Sequence, residues 1–489
     1  MKTACRLALL VPLLWTPARV LAQCAGIVST PRAAADCTAV STPQRNPPTL
    51  DAGHTWTLAE LIDFAEHNNP RTRIVWERAK QRAAQLGLAR SAYYPLLAGI
   101  ASVSDQRIIS PFPKPLAPNG YSMVMIPAVV GELRLQYLLF DAGERAARVD
   151  AALQEQLAAG ANFIQANQEI AHRVSSAYYR LVTAQERLQA SEQTLQTSKT
   201  TLEAAEARLD NGRGTFPDVL NARSETAQAV FDREAADGDE KIARVALTEA
   251  LGAEPSADIT IDAQKSAPPP QQLTVSVDAL IDRALSNRPD LMAVASEIRA
   301  ADDQIRAVRS EYKPRIVAAG ALGQSSIWPT SSGGKLGDAS RATWSAAVAL
   351  QWNIFDGGAR RNKVEAAESR RRVAQDEQTE VHDKATREVW TAYINYRSAL
   401  RKNEAALALF EFANTSYSAS LEAYNAGVRT LLDLVNAQKQ LSLARLSGVA
   451  ARSQLFLEAV NLEFVTGSLL RNLPPATSLA TPAPQGGKK

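Results

Sequence analysis

Histidine and cysteine are scarce in this chain, which excludes the commonest kinds of metal and redox site. The 489 residues include three cysteines and four histidines, the latter being His54, His67, His172 and His382. None of them lies at a spacing typical of a zinc or iron site. The sequence also lacks a nucleophile elbow, a glycine-rich phosphate loop and a histidine-containing metal motif. We therefore expect no enzymatic activity and no cofactor.

Long apolar runs are lacking too, apart from one at the start. Residues 7–15 are apolar, Lys2 and Arg6 precede them, and residues 20–22 have the small-residue form of a cleavage site. This pattern predicts a secretory signal peptide over residues 1–22, because the apolar run is too short to cross a bilayer as a helix.

Two cysteines follow the predicted cleavage site. Residues 21–24 nearly fit a lipoprotein motif, which would make Cys24 a lipid acceptor, but Gln23 stands where that motif has a small residue. Lipidation of Cys24 therefore stays open as an alternative. In an exported protein a disulfide can form between Cys24 and Cys37.

An excess of charge of either sign is lacking once the signal peptide is removed. Its removal takes away three of the 54 basic residues, and as many remain as there are acidic residues, 51. A neutral chain has no general attraction for a phosphate backbone, so we expect no nucleic-acid partner.

Proline and glycine are missing from long central stretches. Residues 128–216 and 330–473 contain no proline, residues 144–209 contain one glycine, and residues 359–424 contain none. These stretches are rich in Ala, Glu, Gln, Arg and Leu, which favour helix. A helix of about 66 residues is about 100 Å long, more than a compact domain needs.

The chain contains an internal duplication. Residues 61–95 align with residues 280–314 at an offset of 219, and later segments align at an offset of 215. The matches include Arg90-Ser91-x-Tyr93-x-Pro95 with Arg309-Ser310-x-Tyr312-x-Pro314, Phe140-Asp141-x-Gly143 with Phe355-Asp356-x-Gly358, and Gly212, Asp218, Asn221 and Ala222 with Gly427, Asp433, Asn436 and Ala437. A period this long indicates two halves of one fold rather than a solenoid.

Each half has the same order of segments. A short helix and a longer one precede two extended segments, a very long helix, a turn and another long helix. The expected organisation is a flexible leader over 23–56, a first repeat over 57–252 (strands about 96–108 and 128–141, long helices about 144–209 and 217–251), a linker over 253–276, a second repeat over 277–468 (strands about 315–327 and 342–355, long helices about 359–425 and 430–466) and a disordered tail over 469–489.

The extended segments alternate between apolar and polar residues. Apolar residues fill every second position of residues 344–354, and Leu133, Leu135 and Leu139 alternate with polar residues in the first half. Such strands of about ten residues are typical of a transmembrane β-barrel. A soluble sheet with one buried face is the alternative. Four strands cannot enclose a lumen, so a barrel must be shared among subunits.

The turns between the long helices identify a family. Residues 424–438 (YNAGVRTLLDLVNAQ) and 212–223 (GRGTFPDVLNAR) resemble the periplasmic tip of TolC-like outer-membrane efflux proteins. Residues 140–143 and 355–358 resemble that family's strand-to-helix junctions. The resemblance covers about residues 56–468.

The resemblance implies a fold, a location and partners. It implies a mostly α-helical homotrimer in which each subunit gives four strands to a shared 12-stranded outer-membrane barrel and its long helices to a 12-helix periplasmic tunnel. Residues 253–276 would lie around the equator of that tunnel. The implied partners are outer-membrane lipid, a periplasmic membrane-fusion adaptor and an inner-membrane transporter. The implied function is a passive exit duct for small molecules such as drugs, metabolites or metals.

The resemblance also points to a gate at the tip. Tyr424 and Arg429 match the family's latch positions, and Asp218 matches their acidic acceptor on the first-half turn. An Arg–carboxylate contact between neighbouring coils would hold the tunnel closed. Pro217 replaces a threonine of the family, so one hydroxyl bond of the latch is missing.

The resemblance also implies a constriction ring, on the helix that follows the second-half turn. Asp433 matches one carboxylate of the family's ring, and three copies around an axis would favour cations. Asn436 stands where a second aspartate is expected, so we expect reduced cation selectivity.

The tip residues also have plainer structural explanations. Asp218 and Asp433 stand near helix starts, where an acid stabilises the helix dipole. Arg429 on a turn is most simply solvated. Gly212 and Gly427 suit left-handed positions at helix ends.

Two other functions stay open at this stage. A channel for type I protein secretion would have the same sequence pattern, because the inner-membrane partner determines the cargo. A non-conducting coiled-coil envelope scaffold is the alternative of another class, and the alternating strands argue against it.

Overall fold

The computed structural model describes residue 50 and residues 53–111, 113–114, 119–255, 259–262, 275–331 and 334–469. The predicted signal peptide, Cys24 and Cys37 lie outside these residues. So do most of the predicted leader and nearly all of the predicted tail.

Four helices form in each half, with matching lengths. The first half contains α1 (Leu58–Asn68), α2 (Pro70–Ser91), α3 (Glu144–Asp210) and α4 (Phe216–Leu251). The second contains α5 (Val277–Asn287), α6 (Pro289–Ser310), α7 (Ala359–Asn425) and α8 (Leu431–Val465). Since α3 and α7 have 67 residues each, each is about 100 Å long. None of the described helices combines the length and apolar character that crossing a membrane as a helix requires.

The long helices pack as two antiparallel hairpins, α3 with α4 and α7 with α8, and α3 also packs against α8. Small buried side chains recur every seven residues along α7, at Ala385, Ala392, Ala399, Ala406, Ala413 and Ser420. A strict seven-residue repeat twists packed helices into a left-handed supercoil. The hairpins are therefore coiled coils whose helices approach closely.

In each half, the residue between the short helix and the next helix contacts the end of the returning long helix. The Asn69 amide donates to the carbonyl of Ala250 (3.0 Å), near the end of α4. At the same place in the second half, Arg288 donates to the carbonyl of Val465 (3.4 Å), at the end of α8. These contacts place the start of α2 at the end of α4 and the start of α6 at the end of α8. α2 and α6 thus continue the returning helices, and they lie beside the longest helices.

Four long strands form an open antiparallel sheet. They are β2 (Leu96–Pro111), β3 (Tyr121–Phe140), β5 (Arg315–Ile327) and β8 (Ala339–Gln351), and they neighbour one another in that order. Two short segments, β6 (Thr330–Ser331) and β7 (Gly334–Lys335), extend the sheet beside β3. Strands from the two repeats thus pair directly, β3 with β5.

The strand register separates an apolar face from a polar one. Leu133, Leu322 and Trp344 are direct partners across three strands and share one face. Glu132, Gly323 and Thr343 are the next row and occupy the other. Strands β3 and β5 approach so closely at this row that a Cβ on Gly323 would lie 2.3 Å from the Gly131 carbonyl oxygen. The predicted alternation is present, and it leaves Trp344 79% exposed on this chain.

The strand ends differ from the predicted ones. β3 begins at Tyr121 rather than at about residue 128, with Pro127 inside it. Pairing of β3 with β5 begins only at Ala128, so the proline's missing N–H costs no bond to β5. β8 ends at Gln351 rather than at about 355, because Trp352 leaves the ladder and its indole donates to the Tyr312 carbonyl (3.0 Å).

Two short strands correct the expected leader and linker. β1 (Thr55–Trp56) pairs in parallel with β4 (Thr260–Ile261), so the end of the predicted flexible leader is ordered against the predicted linker. Trp56 is buried and packs against Phe64 in the largest apolar cluster, which α1, α3, α4 and α8 also line. The burial of this indole explains why the segment is ordered.

Candidate functional site

The two hairpin tips have the same local architecture. α3 ends before Gly212 and α7 ends before Gly427, and both glycines have positive φ values, of 63° and 80°. Thr215 and Thr430 then begin the returning helices as N-caps. The turn is therefore built twice from equivalent residues, as the duplication predicts.

Both tip aspartates belong to capping boxes. The Thr215 hydroxyl donates to Asp218 Oδ2 (2.7 Å) and the Thr430 hydroxyl donates to Asp433 Oδ2 (2.7 Å). In return the backbone N–H of each aspartate donates to its threonine hydroxyl, at 3.4 and 3.3 Å. Both acids thus stabilise a helix start, as the plainer explanation predicts, and a further role in a gate or ring stays a prediction.

Asp433 has an electrostatic environment that favours its charge. The hydroxyl and backbone N–H of Thr430 donate to the carboxylate, and Arg429 lies nearby, which together hold the pKa of Asp433 below its usual value. Asp433 and Asn436 are both exposed and stand one helical turn apart on α8. The arrangement is compatible with a ring position.

The predicted latch residues do not all meet within one chain. Arg429 is exposed, and its Nη1 donates to Ser420 Oγ (3.2 Å) near the end of α7. Within the described part of the chain, Arg429 and Asp218 form no ion pair. Each has a partner on its own hairpin, so a pairing between them stays a prediction about neighbouring subunits.

Tyr424 is the buried residue of the set. It is 3% exposed and lies in an apolar cluster that all four tip helices line, with Ala205, Val219, Leu431 and Leu434. Burial raises the pKa of its phenol, and the nearby Arg208 opposes that rise. The cluster holds the two hairpin tips together in this structure.

Sequence reasoning missed four residues of the tip. Thr215 and Thr430 were readable, since Thr-x-x-Asp at a helix start is the signature of a capping box. Ser420 and Arg208 carry no such signal, because their partners lie on another helix or turn. Within the described residues, no group of three or more His, Cys, Asp and Glu side chains could hold a metal ion.

The fold and the tip define a class of protein. Two coiled-coil hairpins, each with one helix about 100 Å long, are joined to an open sheet with one apolar face, and this combination is typical of outer-membrane channels. A sequence profile of the outer membrane efflux protein family matches residues 61–253 and 280–468. The chain belongs to this family, as its tip motifs predict, and is a protein of the outer membrane that extends into the periplasm.

Individual relatives cover most of the chain. Protein CyaE of Bordetella pertussis is 28% identical over 429 residues, which are 87% of this chain and 87% of CyaE. Outer membrane protein OprJ of Pseudomonas aeruginosa is 27% identical over 405 residues, 83% of this chain and 82% of OprJ.

A solved structure shares the fold. The crystal structure of a membrane protein from Pseudomonas aeruginosa matches with a TM-score of 0.71 and 27% identity, over 84% of this chain and 93% of that one. The family is one of outer-membrane efflux channels and not of enzymes.

Proposed function

We propose that three copies of this chain form the outer-membrane exit duct of a tripartite efflux system. The proposal rests on two features that occur together in one chain. One is a four-stranded sheet with an apolar face, and the other is a set of two similar hairpins that end in equivalent tips. Three such sheets would give a 12-stranded barrel, and three pairs of hairpins would give a 12-helix tunnel.

The tip would be the closed end of the duct. Arg429 projects from the exposed turn of the second hairpin, and Asp218 lies at the tip of the first. In a ring of alternating hairpins, Arg429 of one subunit would face the first hairpin of the next. A charge-assisted bond to Asp218 there would hold neighbouring subunits together until a partner displaces it.

Membership of the family supports a proposal about the cargo and the partners. We propose small molecules as cargo, with a periplasmic adaptor and an inner-membrane pump as partners. Protein secretion through the same duct is the alternative. Deleting the gene separates the two: small-molecule efflux predicts higher susceptibility to toxic compounds, whereas secretion predicts the loss of one exported protein from the medium.

The gate is tested by single-channel conductance in planar bilayers, with the wild type compared with Arg429→Ser. Removing one charge-assisted hydrogen bond should raise the open fraction about tenfold or more. Arg452→Ser is the matched control, because Arg452 is an exposed arginine of α8 paired with Glu186 away from the tip.

The outcomes are distinct. A larger conductance for Arg429→Ser alone supports both pore and latch. A conducting wild type with an unchanged Arg429→Ser variant keeps the channel and rejects the latch. Silence of all three folded proteins supports the scaffold instead.

A further inference from the structure

Arg208, near the end of α3, contacts the end of α7 on the other hairpin. Its Nη1 donates to the Tyr424 carbonyl oxygen (2.6 Å), and its guanidinium carbon lies 4.5 Å from the centre of the Tyr424 ring. The Nη2 atom lies 3.7 Å from where a Cβ on Gly427 would stand. The guanidinium therefore lies in a binding site formed by the Tyr424 ring, the Tyr424 carbonyl and Gly427.

The carbonyl and the aromatic ring of this binding site suit a guanidinium. The last carbonyls of an α-helix lack partners within the helix and carry partial negative charge. The last turn of α7 contains no basic residue of its own, so Arg208 supplies the cation from α3. A planar guanidinium can stack on the ring and donate to the carbonyl together, which an ammonium group does less well.

The contact occurs once per chain. At the repeat offset of 215, Ala423 replaces Arg208 and Leu209 replaces Tyr424. The same pair of side chains therefore cannot connect the second hairpin to the first hairpin of another copy. Any such connection between copies has to use different residues, whereas the junction within a chain has this one.

Small polar side chains line the α3–α8 seam above the Arg208 contact. Thr201 and Ser198 bond the Gln438 amide, each at 2.7 Å, and Thr183 bonds Ser453 at 2.6 Å. Bonds of this kind are largely replaced by water when two helices separate, so each adds little net stability. The Arg208 guanidinium is charged and half-buried, so its bond to the Tyr424 carbonyl is a stronger restraint than a bond between two neutral side chains.

We propose that Arg208 is a positioning residue of the tip gate, which holds the end of α7, and with it Tyr424 and the Arg429 turn, against the first hairpin of the same chain. This inference rests on the proposed function. In a trimer the tip would open fully only when each chain breaks its own Arg208 contact as well as the contact to its neighbour.

The test compares Arg208→Ala, Arg208→Lys and Arg223→Ala in planar bilayers beside Arg429→Ser. Arg223 is the matched control, since it is an exposed arginine of the same hairpin whose Nη2 bonds Glu206 at 2.9 Å. We expect Arg208→Ala to raise the open fraction about tenfold, the change that follows from losing one charge-assisted bond. Arg208→Lys should restore part of the closure, and Arg223→Ala should leave the open fraction unchanged.

Folding is checked on the same samples. The temperature at which the trimer dissociates should be equal in the wild type and in the Arg208 and Arg223 variants, because the Arg208 contact lies within one chain and not between subunits. If Arg208→Ala gives no trimer, Arg208→Gln replaces it, since glutamine keeps most of the side-chain length without the charge.

The outcomes separate this inference from the proposed function. An Arg208→Ala channel that gates like the wild type, while Arg429→Ser opens, overturns the role of Arg208 and leaves the channel intact. Equal opening in Arg208→Ala and Arg223→Ala overturns it too, because a general charge effect then explains the result. Silence of every folded variant overturns the channel and the positioning role together.

Discussion

Asp218 and Asp433 each serve a local structural purpose, which does not exclude a second role. Both carboxylates accept from a threonine hydroxyl at a helix start. A capping carboxylate is held in one position and stays exposed to solvent on its other side. The cap therefore places Asp433 with little conformational freedom, which favours a constriction ring.

The first prediction at the residue scale concerns pH. Because the pKa of Asp433 is held below its usual value, the carboxylate keeps its charge to a lower pH than an ordinary aspartate does. We expect the cation preference of the channel to be the same at about pH 7 and pH 5. Reversal potentials in a salt gradient measure this preference, and Asp433→Asn should lower it at both values.

A companion variant makes the pH prediction sharper. Asn436→Asp adds a second carboxylate one turn along α8, so it should raise the cation preference. If the wild-type preference instead disappears between pH 7 and pH 5, repulsion among three nearby carboxylates outweighs the hydrogen bonds of the cap.

At the scale of elements, the two strand-to-helix junctions share one device. The Asp141 carboxylate accepts hydrogen bonds from both the backbone N–H and the guanidinium of Arg145. The Asp356 carboxylate accepts the same two bonds from Arg360. Each guanidinium also lies over a tyrosine at the end of the preceding helix, Tyr93 or Tyr312. The repeated contact connects the end of each strand pair to the start of the long helix that follows.

The sheet gives a prediction that uses neighbouring residues on opposite faces. Trp344→Arg places a charge on the apolar face, which should cost about 2–4 kcal/mol if that face contacts lipid near the bilayer centre. Thr343→Arg, one residue away on the polar face, is the matched control and should be tolerated. The yield of folded protein in outer-membrane fractions measures both variants. Equal yields would favour the soluble-sheet alternative.

At the scale of the whole molecule, the sheet of one chain is incomplete. Among the described residues, the main ladder ends at β2 on one side and at β8 on the other, and each has an unpaired outer edge. Backbone groups on an edge cannot stay unpaired in lipid. An apolar face with two open edges therefore predicts that further copies of the chain complete the sheet.

We expect three copies in the native particle. Native mass spectrometry of the detergent-extracted protein should give a trimer, because three four-stranded sheets close a barrel of an even, permitted strand number. A monomer that remains folded in detergent would contradict the shared barrel. A chain released from washed membranes without detergent would contradict the outer-membrane barrel as well.

The helices and strands, the duplication and the family can all be predicted from the amino-acid sequence. Proline-free runs predict long helices, alternation predicts strands, and the tip motifs predict the outer membrane efflux family, which the family profile confirms. Each of these properties is encoded by residues close together along the chain. The heptad of small residues in α7 belongs to the same kind of signal.

Contacts between distant residues are visible only in the folded chain. Three contacts join residues that are far apart in sequence: β3 pairs with β5, Trp56 pairs with Ile261, and Arg208 donates to the Tyr424 carbonyl. No local pattern specifies such contacts, since they depend on how two copies of one repeat pack together. The predicted latch illustrates the difference. Its candidate residues were proposed from sequence, but within one chain Arg429 and Asp218 have separate partners and Arg208 contacts Tyr424.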